Sequence, residues 1–140
     1  ILPVGNQPQW YVGDSNAVLD NFPNESFDMV FSCPPYGDLE KYSDLEGDIS
    51  NMTYEDFLSS YETIISKACD KLKKGGHAIF VVGEFRDKNG YYRGFVPDTI
   101  NAFRKCGMKL YNEAILSTSC NSSLSNGTVC VDAVFRSGSS

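Results

Sequence analysis

Apolar positions follow two rhythms along this chain. The longest regular one begins after Thr53: Tyr54, Phe57, Leu58, Tyr61, Ile64, Ile65, Ala68 and Leu72 recur at steps of three and four, the period of one helix face. Thr53 and Asp56 form a capping-box pattern before it, and Lys71, Lys73 and Lys74 suit the negative end of a helix dipole. Gly75-Gly76 is the predicted stop, and the aromatic stripe is expected to be core. The second rhythm is a short unbroken apolar run. Met29-Val30-Phe31 reads as a buried strand within 27–32, and Ala78-Ile79-Phe80-Val81-Val82-Gly83 as a strand covered on both faces.

Weaker patterns fill the intervals. Gln9-Trp10-Tyr11-Val12 predicts a short strand that ends in Gly13-Asp14-Ser15, and Asp14 or Ser15 can cap a short helix over Asn16–Leu19. Pro97 suits the first position of a helix running to Lys105, with Ile100, Phe103 and Cys106 on one face and Gly107 as its stop. Met108–Leu116 and Val129–Phe135 predict two further strands. Strand and helix alternate, so the expected fold is α/β, one mostly parallel sheet with helices on both faces. Only the last strand, reached through a loop too short for a crossover helix, is expected to be antiparallel.

Where the first apolar run ends, the chemistry begins. Ser32-Cys33-Pro34-Pro35-Tyr36 cannot continue a paired strand, because two prolines remove two backbone donors and fix φ. The strand tip must become a rigid turn carrying an aromatic ring, and open α/β sheets bind ligands at the carboxyl ends of their strands. The acid-rich stretch Gly37–Asn51 follows, long enough for a lid or for a plain surface loop.

Composition narrows the class. The 140 residues suit one domain, and 41% hydrophobic with 21% charged residues are globular values. No apolar run approaches the roughly 18 residues of a membrane span. Five cysteines (Cys33, Cys69, Cys106, Cys120, Cys130) make an odd set without zinc or CxxC spacing, so no metal site is expected. Reduced thiols in a cytoplasmic protein are the expectation. The net charge of −6 argues against strong nucleic-acid binding by these residues alone. Ile, not Met, stands at position 1, and the chain is read as part of a longer protein.

Cys33-Pro34-Pro35-Tyr36 resembles the signature of amino-methyltransferases: Asp, Asn or Ser, then Pro-Pro, then an aromatic residue. The runs FDMVFSCPPYGDLEKYSD, LKKGG, HAIFVVGEFRD and LYNEAIL are similar to a subgroup found in phage and bacterial DNA methyltransferases. The likeness covers most of residues 9–116. It implies a Rossmann-like sheet without its first strands, a single partial catalytic domain over residues 1–140. It also implies S-adenosylmethionine as cofactor and an exocyclic base amine of DNA (adenine N6 or cytosine N4) as acceptor, as in restriction-modification systems. Residue by residue, the resemblance makes Cys33, Pro34, Pro35 and Tyr36 catalytic, and places Asp14, Ser32 and Cys33 at the cofactor. Tyr36 stacks on a flipped base.

Two departures stand out. No glycine-rich first-strand loop, which in the family holds the methionine moiety, occurs in the sequence. Cys33 replaces the oxygen acceptor, and a thiol is a weak acceptor for an amine N–H. Glu84, at the end of the second strand, and Arg86 and Tyr91 just beyond it, are candidate substrate contacts; Arg86, Lys88, Tyr91, Tyr92 and Arg93 together mix basic and aromatic residues in a way that suits nucleic-acid contact, with a solvated loop as the plain alternative. His77, the one histidine, suits a strand start better than a catalytic base. Methylation of RNA or of protein glutamine, and a catalytically silent scaffold, are the alternative functions. The partner expectation is DNA, with a second copy of the chain as a further option.

Overall fold

The computed structural model describes residues 7–36, 49–117 and 129–137. Its elements in chain order are α1 (Ser15–Leu19), β1 (Phe27–Ser32), a 3-10 turn (Ile49–Asn51), α2 (Tyr54–Lys71), β2 (Leu72–Gly83), α3 (Phe95–Lys105), β3 (Met108–Ser117) and β4 (Val129–Ser137). The strands form one sheet in the order β1-β2-β4-β3. β1 pairs parallel to β2, with Val30 opposite Ala78 and Ser32 opposite Phe80. β4 runs antiparallel to both β2 and β3, so three strands point one way and the last returns between two of them. The predicted loops over 37–48 and 118–128 lie outside the described residues.

α2 forms as its period predicts. Thr53 Oγ1 accepts from the Asp56 N–H at 3.3 Å and donates to Asp56 Oδ2 at 2.8 Å. Phe57, Tyr61, Ile65 and Ala68 are its buried stripe. They pack on Phe95, Ala102 and Phe103 of α3 and on Ala78, Phe80, Val82, Ala133 and Phe135 of the sheet. The core is largely aromatic, with Phe103 stacked on Phe135 at 4.0 Å and edge-on to Phe80 at 4.9 Å. The fully buried Thr99 is satisfied: its Oγ1 donates to the Phe95 carbonyl at 2.9 Å and lies 3.3 Å from the Tyr61 hydroxyl. Burial pushes the Tyr61 hydroxyl well above the usual phenol range.

Four expectations are corrected. Residues 9–12 are exposed and form no strand, because no neighbouring strand among the described residues pairs with them. Gly75-Gly76 does not stop α2; the helix ends at Lys71 and β2 already starts at Leu72, paired with Phe27. Gly76 is needed for close approach instead, since a Cβ there would lie 2.8 Å from the Lys73 carbonyl oxygen and 3.1 Å from that of Asp28. Pro97 is the third residue of α3, not the first.

The fourth correction concerns coverage of the sheet. The buried side chains of β2 (Ala78, Phe80, Val82) face α2 and α3, whereas Ile79 and Val81 between them are half-buried. Phe31, Ile79 and Val134 form a row across the opposite face. On β1 that face is open, with Met29 55% and Phe31 60% exposed. Among the described residues, helices therefore cover one face of the sheet. β1 is also an edge strand, so its apolar run is half-covered where full burial was expected.

Candidate functional site

The proline turn lies where the alternation of elements predicts, at the carboxyl end of β1 beside β2, which continues past it to Gly83. Pro34 is buried, Ser32, Pro35 and Tyr36 are half-buried, and the Cys33 thiol is exposed. A rigid turn with its first proline buried presents Cys33 at the surface.

Tyr36 does not stand alone. Its ring meets Phe85 edge-on at 6.1 Å and Phe95 at 6.0 Å, and these two meet each other at 5.7 Å. Tyr54 closes the group at 5.9 Å from Phe85, its hydroxyl donating to Asp98 Oδ2 at 3.0 Å. Burial, then that carboxylate, hold the Tyr54 hydroxyl far above the usual phenol range. The Arg93 guanidinium lies over the Tyr54 ring at 4.8 Å. The turn therefore sits against an aromatic wall shared by the ends of β1 and β2 and the start of α3.

The other candidate residues have distinct positions. Asp14 caps α1, its Oδ1 accepting from the Asn16 N–H at 2.9 Å. α1 is tied to α2 by Lys67, whose Nζ reaches the Asn16 carbonyl and Asp20, both at 2.7 Å. Glu84 has a structural role, because its carboxylate accepts from the N–H groups of Gly94, Phe95 and Val96 at 3.1, 3.2 and 3.0 Å. Gly94, the N-cap, has no side chain to cap α3, and Pro97 has no N–H to be satisfied, so Glu84 completes the helix start from ten residues upstream. Arg86 lies 3.9 Å over the Tyr92 ring and donates from Nη1 to the Gly90 carbonyl at 2.7 Å, while Tyr91 is exposed. His77 lies edge-on to Tyr111 at 5.8 Å, away from the turn in the register of β2. Phe85 and Phe95 were not among the residues singled out from sequence. Their signal was present in the alternation of aromatic and basic residues through EFRDKNGYYRGF.

Among the described residues no cluster of three or more His, Cys, Asp or Glu could hold a metal ion. No helix among them is long and apolar enough to cross a membrane.

The strand order, with an antiparallel strand inserted beside a parallel pair, is a Rossmann-like arrangement that solved methyltransferases share. An inferred DNA modification methylase from Thermus thermophilus, solved in complex with S-adenosyl-L-methionine, superposes with a TM-score of 0.71 at 24% identity, over 92% of this chain and 55% of that one. The PvuII DNA methyltransferase, cytosine-N4-specific, superposes with a TM-score of 0.67 at 18% identity, over 91% and 48%. In sequence, the type II methyltransferase M.PvuII of Proteus hauseri is 30% identical over 94 residues, 67% of this chain and 25% of that protein. No protein-family model matches the chain. In sequence the chain is similar to a type II DNA methyltransferase, of which it spans a quarter, and in fold it is similar to DNA methylases, of whose solved chains it spans about half.

Asp14 offers a carboxylate acceptor beside a helix start, and Ser32 and Cys33 offer a hydroxyl and a thiol at the end of β1. A glycine turn for the methionine end is not in the sequence.

Proposed function

We propose that the chain carries the base-accepting half of a DNA amino-methyltransferase acting on adenine N6 or cytosine N4. The observation that supports this most directly is the Cys33–Tyr36 turn at the carboxyl end of β1, within a fold shared with DNA methylases. An exocyclic amine is a poor nucleophile because its lone pair is delocalised into the base. Acceptors must hold both N–H groups so that the nitrogen can become tetrahedral as it attacks. The Pro34 carbonyl supplies one acceptor, and the Ser32 hydroxyl or the Cys33 sulfur the other. Tyr36, supported by Phe85 and Phe95, stacks on the extruded base and offsets part of its unpairing cost. S-adenosylmethionine, when bound, supplies the electrophilic methyl group. Asp14 would take its adenine amine, and Ser32 and Cys33 would line its reactive end. Arg86 and Tyr91, beyond β2, contact the nucleic acid.

The test is methyl transfer from tritiated S-adenosylmethionine to DNA of varied sequence, followed by base analysis, using the chain together with whatever flanks it in its gene. Label in a base amine is the expected result, and which base identifies the acceptor. Label confined to RNA or to glutamine would move the reading to a neighbouring class, and no label anywhere would reject it. Cys33→Asp, which restores an oxygen acceptor, is expected to raise the transfer rate.

A second reading, a catalytically silent assembly module, is favoured by the open apolar face of β1. It predicts no heat on calorimetric titration with S-adenosylmethionine.

A further inference from the structure

Beyond β2 the chain spends many polar contacts on a short excursion, residues 84–94, whose tip carries no core residue. Asp87 Oδ1 accepts from the N–H groups of Asn89 and Tyr91, both at 2.9 Å. The Gly90 N–H donates to the Asp87 carbonyl at 3.0 Å, and the Asp87 N–H to the Tyr91 carbonyl at 2.8 Å. Arg86 and Tyr92 form an antiparallel bridge, and the Arg93 N–H closes the base on the Phe85 carbonyl at 3.0 Å. Glu84 ties that base to α3, and buried Phe85 anchors it in the core.

This hairpin is held by its own hydrogen bonds, yet it presents its aromatic rings to solvent: Tyr91 is 73% exposed and Tyr92 63%. A hairpin kept only for connection would place polar residues there, because exposed rings contribute little to folding. Arg86 holds the Tyr92 ring from one side at 3.9 Å, which fixes the orientation of its plane. Local charge differs from that of the whole chain. Arg86, Lys88 and Arg93 cluster here, while Glu84 is committed to α3 and Asp87 to the turn. Phe85, at the hairpin base, touches Tyr36 of the proline turn, so the two features share one edge of the sheet.

We propose that hairpin 84–94 is a stacking platform for unpaired bases of a nucleic-acid strand held beside the proline turn. Tyr91 and Tyr92 supply the rings, Arg86 positions Tyr92, and Lys88 neutralises a phosphate. This rests on the reading that the turn accepts a base, and it adds the surface that holds the bases next to it. Rigid rings need no ordering on binding, which is where a preformed hairpin gains over a mobile loop.

The experiment is fluorescence anisotropy of labelled single-stranded DNA, and of duplex with one mismatch, titrated with this chain. Aromatic stacking on a base sets the scale: Tyr91→Ala and Tyr92→Ala are each expected to weaken binding by about 5-fold or more. Tyr91→Phe keeps the ring and is expected to bind like the parent. Lys88→Gln is expected to lower the slope of log K against log salt by about 0.7. All these positions are exposed, so circular dichroism melts should match the parent. Unchanged binding in both alanine variants, or no binding by the parent chain, overturns the proposal. Retained oligonucleotide binding with loss of a protein partner in the same variants would assign the surface to protein and also overturn it. The methyl-transfer assay separates the two readings. Transfer to a base amine with unaltered KM in the hairpin variants sinks the platform alone. Weakened binding in the variants without transfer in the parent sinks the enzymatic reading alone.

Discussion

Replacing Glu84 separates a structural role from a substrate-binding one. Its carboxylate accepts from three N–H groups at the start of α3, at 3.0 to 3.2 Å. Side-chain capping of a helix start is worth about 0.5–2 kcal/mol, and a negative charge at the positive end of the dipole adds about 0.3–1 kcal/mol. The Gly94 and Val96 donors are near water and can be resolvated, whereas the Phe95 donor is partly buried. Glu84→Ala is therefore expected to cost about 1–2 kcal/mol in all. Glu84→Gln keeps one acceptor oxygen and should cost about half as much. At about 4 °C per kcal/mol for a domain of this size, the alanine variant should melt about 4–8 °C below the parent by circular dichroism. Base binding, measured well below that melting point, should be unaltered. An alanine variant melting within about 1 °C of the parent would refute the capping account. A glutamine variant that melts normally but loses nucleic acid would restore Glu84 to the substrate.

Tyr36→Ala is expected to abolish methyl transfer while the chain stays folded, and Tyr36→Phe to retain most of it; full activity in the alanine variant would remove Tyr36 from the site. Gly76→Ala should destabilise by about 1–3 kcal/mol, because its Cβ meets the backbone oxygens of Lys73 and Asp28 and not a yielding side chain; an unchanged urea midpoint would contradict this. Hydrogen bonds from the Tyr91 N–H first, with smaller contributions from Asn89 and Arg93, hold the Asp87 carboxyl below its usual range. Its folded value being the lower one, the hairpin is stabilised above the ordinary carboxylate pKa and loses that support as pH falls through the folded value. The protection factor of the Tyr91 amide, its exchange rate corrected for the intrinsic pH dependence, should therefore fall on acidification in the parent and be low at all pH values in Asp87→Ala. Met29→Lys with Phe31→Lys should leave the melting temperature nearly unchanged, and should reduce concentration-dependent self-association in sedimentation velocity if the open face of β1 draws a second copy.

Helix α2, the apolar strands β1 and β2, the proline turn and the relation to methyltransferases were all legible in the chain, because each rests on local rules. Periodicity marks a helix face, an unbroken apolar run marks a strand interior, and two prolines end a strand whatever surrounds them. Three features needed the fold. Glu84 reads as a free carboxylate at a strand end, yet the chain returns after ten residues to put a helix start against it. Gly75-Gly76 reads as a helix stop, yet Gly76 lies within β2, where a Cβ would meet the carbonyl of nearby Lys73 first and then that of Asp28 on the neighbouring strand. The aromatic wall behind Tyr36 joins residues from two strand ends and a helix start. Local residue patterns were thus enough to define the main elements and the place of the turn. Which carboxylate is committed, which sheet face lies open and what stands behind the ring emerge only in the folded chain, because they depend on groups brought together across long stretches of sequence.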